Sequence, residues 1–253
     1  MLHYQQFGAG EPLVILHGLF GSSKNWQSLA KQFAEIFSVY TVDLRNHGAS
    51  FHDSEMNYPV MADDVYRLLE FLGLSSCYLL GHSMGGKVAM TLTNNRPELV
   101  TRLVVADIAP VAYQHHHNSL LDPIMALSLA DFDGRASIDS ALAPAIPDPV
   151  LRGFLLQNLA REGDGWRWKV NWAAIKQHMS DLIDFPVPEN GWKIDIPTLF
   201  MRGENSDYIG DAELTEIERH FSDARIETLK LAGHWLHAEQ PEQFFDYVVS
   251  FSR

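Results

Sequence analysis

The strongest constraint on this chain is an alternation. Short apolar runs rich in β-branched residues recur at PLVILH (12–17), SVYTVD (38–43), SCYLLG (76–81), RLVVAD (102–107), IPTLFM (196–201) and RIETLKL (225–231). They are nearly continuous in apolar character, as strands covered on both faces must be. Between them lie amphipathic stretches such as MADDVYRLLEFLG (61–73) and KVAMTLTNNRPELV (87–100). Strand, helix and strand in repeated alternation predict an α/β fold with a mostly parallel, doubly wound sheet. LHYQQFG at the start is expected to add an antiparallel edge strand.

The alternation breaks between about Pro110 and Trp192. HHH at 115–117, the run APAIPDP (143–149) and helix-like DPVLRGFLLQNLA (148–160) fall there, without a convincing series of core strands. So long a connection is not expected to be structureless in a compact protein. The predicted organisation is a core over 1–110, a mainly helical cap over 111–192 and the rest of the core over 193–253. Trp166 and Trp168 alternate as on one strand face, to line a pocket or to form the cap's own core. HHH reads as a solvated polar stretch rather than a metal site.

Composition narrows the class of partner. The net charge is −13, from 32 acidic and 19 basic residues, with no Lys/Arg run. That argues against nucleic acid and fits a small-molecule substrate. The single cysteine, Cys77, lies in an apolar strand, where a buried thiol is expected, and suggests a reducing compartment. No signal-peptide pattern and no apolar run of the ~18 residues that cross a bilayer is evident. A cytoplasmic protein without stable membrane association is expected.

The chemistry-bearing stretch is YLLGHSMGGKVAM (78–90). An apolar strand enters Gly81-His82-Ser83-Met84-Gly85 and leaves as a helix, the strand–turn–helix setting of a G-x-S-x-G nucleophile elbow. Side chains in place of the glycines would collide with neighbouring backbone, and the turn lifts the Ser83 hydroxyl clear of the sheet. Gly81 to Lys87 also spells the start of a phosphate-binding loop, but Val88 stands where that motif needs Ser or Thr. A serine needs a base. His234 in LKLAGHWLHAEQPEQF (229–244) sits in the loop between the last core strand and the C-terminal helix, with His237 as a packing or hydrogen-bonding neighbour. After the PLVILH strand, His17-Gly18-Leu19-Phe20-Gly21 is placed to supply the second half of an oxyanion hole. The assigned N–H groups are those of Leu19 and Met84, with Phe20 as the alternative to Leu19.

These residues resemble the α/β-hydrolase superfamily over essentially the whole chain, and within it the YbfF-type bacterial esterases. The stretches that carry the likeness are HGLFGS (17–22), DLRNHGAS (43–50), MNYP (56–59), GHSMGGK (81–87), DIAP (107–110), NSDY (205–208) and GHWLHAE (233–239). The resemblance implies a serine esterase or thioesterase, without metal or other cofactor, acting on acyl esters of short to medium chain under a helical cap. Ser83 at the nucleophile position sets the chain apart from dehalogenases and epoxide hydrolases of this fold, which use Asp. A carbon–carbon bond hydrolase and a non-catalytic ligand-binding relative of the same fold are the alternatives.

The triad acid is the open choice. In this fold it usually follows the strand after the cap, in a pattern of Gly, two residues, then Asp. Counting from Gly203 puts Ser206 in that slot and Asp207 one residue late. Asp107 ends the RLVVAD strand at the carboxyl edge of the sheet, and Ser83, Asp107, His234 keeps the chain order Ser, acid, His. The DIAP counterpart is read as the acid in the YbfF-type esterases. Asp107 is therefore the expected acid, with Asp207 and Asp211 as alternatives and Ser206 as a hydrogen-bond donor in the same network. The plainer reading is that Asp107 only caps the turn before Pro110.

Overall fold

A computed structural model describes residues 1–114, 118–185, 187 and 191–252. HHH at 115–117 lies outside the described residues. The strands are β1 (His3–Phe7), β2 (Glu11–Leu16), β3 (Phe37–Asp43), β4 (Cys77–His82), β5 (Val100–Ala106), β6 (Leu159–Glu162), β7 (Gly165–Trp168), β8 (Thr198–Gly203) and β9 (Ala224–Leu229). Seven of them form one sheet in the order β1-β3-β2-β4-β5-β8-β9. β1 runs antiparallel to β3, and the other neighbours are parallel. Each apolar run singled out in the sequence thus became a strand of the sheet.

The helices are α1 (Gln27–Phe33), α2 (Tyr58–Leu72), α3 (Met84–Asn95), α4 (Asn118–Ala126), α5 (Arg135–Leu142), α6 (Pro149–Leu156), α7 (Trp172–Gln177), α8 (Met179–Ile183), α9 (Asp211–His220), α10 (Leu236–Glu239) and α11 (Pro241–Ser252). Alternate strand residues face opposite sides of the sheet and feed two separate cores. Val14, Leu16, Leu79, Val105 and Phe200 pack into one with α2 and α3. Leu13, Ile15, Leu80, Val104 and Met201 pack into the other with α1 and α11. Double coverage is why these strands read as continuous rather than alternating apolar runs.

Between β5 and β8 lie α4 to α8 and the antiparallel hairpin β6–β7, which is not part of the main sheet. Trp166 and Trp168 both sit on β7 and pack against the larger core. Among the described residues, no helix is long and apolar enough to cross a membrane.

Local signals set the helix ends. Asn57 precedes α2 in extended conformation, its side chain accepting the Val60 N–H at 3.0 Å, and Gly73 closes the helix at φ 67°. Asn57 thereby satisfies one of the donors that a helix start leaves over. Asn57→Ala should lower stability by about 1 kcal/mol in urea denaturation.

Candidate active site

β2 has β3 on one side and β4 on the other, so the loops leaving β2 and β4 diverge above the carboxyl edge. That divergence opens a crevice where ligands collect in sheets of this kind. Ser83 stands there, between the end of β4 and the start of α3, at φ 52° and ψ −120°. A non-glycine residue holds such a conformation only when its surroundings impose it. The Ser83 N–H donates to Ala106 O at 2.9 Å, tying the turn to β5. A β-carbon on Gly81 would lie 2.2 Å from Gly85 O, and one on Gly85 would lie 2.5 Å from both Leu16 O and His17 O. The glycines let strand, turn and neighbouring loop close on one another, which is what the G-x-S-x-G spacing predicts.

The loop after β2 is held by two buried histidines. The Leu44 N–H donates to His17 Nε2 at 3.0 Å, so Nδ1–H donates to Gly18 O at 2.8 Å. The Phe20 N–H donates to His47 Nε2 at 3.1 Å, and His47 Nδ1–H donates to Arg45 O at 2.9 Å. Both rings are therefore neutral. Burial pushes His17 below its ordinary value and His47 down to about 3. Because Phe20 N–H is engaged, Leu19 is the better placed of the two oxyanion candidates. Met84 is the first residue of α3, and its N–H belongs to the set that a helix start leaves without an intrahelical acceptor.

Asp107 directly follows β5, fully buried and at φ 53°. Its Oδ2 accepts from His234 Nδ1–H at 2.8 Å and from the Ser206 hydroxyl, and its Oδ1 accepts the Gly203 N–H at 3.0 Å. The carboxylate thus joins β5, the β8 turn and the loop carrying His234. Asp207 is exposed just past that turn, and Asp211 is exposed at the start of α9. With Nδ1 donating to Asp107, His234 presents Nε2 as an acceptor.

Supports for His234 come from residues that sequence reasoning passed over. His82 Nε2–H donates to His234 O at 2.8 Å, and Tyr208 stacks on the His234 ring at 4.0 Å between centroids. Glu239 accepts from Gly233 N–H at 2.6 Å and Trp235 N–H at 3.1 Å, bracing the loop on both sides of His234. The signals were present inside GHSMG and GHWLHAE, but only as letters between the expected chemical groups. His237 stacks on Trp26 at 4.2 Å, a packing role, and burial pushes it to about 3.

Ser83 and His234 open onto one cavity of about 680 Å³, whose far wall includes Leu120, Val150, Leu151 and Phe154. Trp166 and Trp168 do not line it. A second space of about 50 Å³ also borders Ser83, between Leu19, Met84 and Leu182. Lys87 lies in its wall, with Nζ donating to Ile183 O at 3.1 Å and Asp184 O at 2.9 Å. Burial pushes this ammonium down to about 7.

Fold and site together define an α/β hydrolase, and the family model for the alpha/beta hydrolase fold matches residues 11–143. The chain belongs to that family, on a branch with YbfF-like esterases. It is 39% identical to a protein of Xenopus tropicalis named sn-1-specific diacylglycerol lipase ABHD11, over 98% of this chain and 80% of that relative. It is 34% identical to Esterase YbfF of Escherichia coli strain K12, over 91% of this chain and 89% of that one. A solved structure titled Marine microorganism esterase superposes with a TM-score of 0.96 at 38% identity, covering 99% of this chain and 98% of the other. These names agree with the enzyme class expected from the sequence, a hydrolase of carboxylic esters.

The neutral histidines predict an acid limit. His47 and His237 bind protons near pH 6.5 when unfolded but only near 3 when folded. Their contribution is fully present above pH 6.5 and is lost as pH falls toward 3, where the unfolded state binds more protons. Thermal unfolding between pH 7 and 4 should show the midpoint falling with acidity, and falling less steeply in His47→Gln.

Proposed function

We propose that this protein is a serine hydrolase that cleaves carboxylic esters or thioesters of short to medium acyl chains through an acyl-enzyme. Ser83 is the nucleophile, His234 the general base and acid, and Asp107 the carboxylate that orients His234. Leu19 and Met84 supply the oxyanion N–H groups, and Ser206 assists Asp107. The observation that carries this reading is the 2.8 Å bond from His234 Nδ1 to buried Asp107, with Ser83 strained at the mouth of the same cavity. Residues 111–192 act as a mainly helical cap, since α6 and its neighbours wall the cavity from above.

The steps follow from the groups. His234 Nε2 takes the Ser83 proton as Oγ bonds to the carbonyl carbon, and the carbonyl electrons move onto oxygen. The Leu19 and Met84 N–H groups donate to that oxyanion. The bond to the leaving oxygen or sulfur breaks, the leaving atom takes the proton from His234, and Ser83 keeps the acyl group. Water then gives a proton to His234 as its oxygen bonds to the acyl carbon. Ser83 Oγ departs with that proton, releasing the carboxylic acid. Asp107 stays ionised throughout and stabilises the transient imidazolium.

Two supports stand beside the geometry. Relatives carry the names of esterases and of a lipase. The net charge of −13 suits a small-molecule substrate and disfavours nucleic acid. No step calls on a metal or other cofactor. Placement in the cytoplasm without stable membrane association is part of the same proposal.

Turnover of 4-nitrophenyl butyrate by single variants tests the roles. Ser83→Ala should remove turnover, and Asp107→Asn should lower kcat by about 10⁴-fold, the loss known when such an acid becomes an amide. Asp207→Asn should stay within a few fold of the parent. A large loss confined to Asp207→Asn would overturn the assignment, and turnover of a diketone but not of simple esters would favour carbon–carbon bond hydrolysis.

A further inference from the structure

Ser83 stands between two unequal spaces, and the position of His234 tells which part of an ester belongs in each. Ser83, Leu19 and Tyr208 border both, but His234 borders only the large one. In acyl transfer the leaving atom must receive its proton from the same histidine that took it from the serine. The leaving group therefore lies on the His234 side, over the cavity of about 680 Å³. With the oxyanion held at Leu19 and Met84, the remaining substituent on the tetrahedral carbon is the acyl chain. It points away from His234, into the space of about 50 Å³.

We propose that this site is built for esters of a short acyl group with a bulky apolar leaving group, an inference that rests on the serine-hydrolase reading above. At about 50 Å³ against about 680 Å³, the small space is much the tighter of the two, so the acyl group is the shorter part of the ester. Its walls are pinned rather than loose. Lys87 Nζ holds the carbonyls of Ile183 and Asp184, and the Tyr58 hydroxyl donates to Leu182 O at 2.5 Å. The Tyr113 N–H donates to Ile183 O at 2.9 Å, while its hydroxyl donates to Tyr208 O at 2.7 Å. These polar groups are spent on backbone carbonyls, which leaves a close-fitting acyl slot bordered by Leu19, Met84, Ile108 and Leu182. The large side offers Leu120, Val150, Leu151, Phe154 and Trp235, the last two with ring centroids 5.5 Å apart. Apolar and aromatic walls of this size suit a large hydrophobic leaving group.

Two substrate series separate the halves of the ester. With 4-nitrophenol as fixed leaving group, kcat/KM should be highest for acetate to butyrate and fall about tenfold for each methylene beyond the slot. With acetate as fixed acyl group, measured by pH-stat, kcat/KM should rise from methyl to butyl to octyl ester. Leu182→Ala should shift the acyl optimum upward by one or two carbons and leave the alkyl acetate ranking unchanged. Gly153 lines the large cavity, and a β-carbon there meets nothing within 4 Å. Gly153→Trp should depress octyl acetate about tenfold while sparing methyl acetate and the acyl ranking.

Rates that rise with acyl length to octanoate and ignore the alcohol would overturn this polarity. If those rates vanish in Ser83→Ala, the serine-hydrolase reading survives and only the polarity falls. If no ester of either series is turned over, both fall together.

Discussion

The site depends on how one buried carboxylate is kept satisfied. Asp107 has no solvent exposure, and an ion so placed is costly unless its oxygens are paired and hydrogen-bonded. Its partners are the Gly203 N–H, the Ser206 hydroxyl and the His234 ring, drawn from segments nearly a hundred residues or more away in sequence. Satisfying the charge therefore fixes the relative positions of β5, β8 and the loop before α10. It also sets the His234 tautomer, which turns Nε2 toward the cavity as an acceptor.

Neutral histidines brace the loops of the site. His17 and His47 hold the loop after β2 through their ring nitrogens, and His82 holds the His234 backbone. Burial keeps all three rings below their ordinary proton affinity. Charging His82 would place a like charge close to the imidazolium proposed to form at His234, its ring centroid being 4.8 Å from that of His234.

Much of the fold was legible because two-sided burial writes itself into strands. VVA of β5 and FM of β8 are apolar at consecutive positions only because helices cover both faces. The elbow was legible because Gly81 and Gly85 are demanded by backbone approach, a local requirement that leaves a local mark. The linkage of Asp107 to His234 was reached by chain order, the Ser206 gap and the likeness of DIAP to the YbfF-type esterases, since a bond spanning 127 positions has no local spacing to read. His47, His82 and Glu239 were missed for the same reason. His47 and His82 act on backbone of another segment, and Glu239 on the backbone of its own loop, and neither apolar period nor motif marks such partners. The hairpin β6–β7 left its trace in the Trp166 and Trp168 alternation, and both residues proved to pack in the core rather than to line the cavity.

The most direct measurement is reaction with a fluorescent alkyl phosphonate, followed by peptide mapping by mass spectrometry. An activated Ser83 predicts one adduct on the peptide that carries it, formed rapidly in the parent protein and orders of magnitude more slowly in His234→Ala. No adduct on Ser83, or one that forms equally fast without His234, would contradict a serine activated by this histidine.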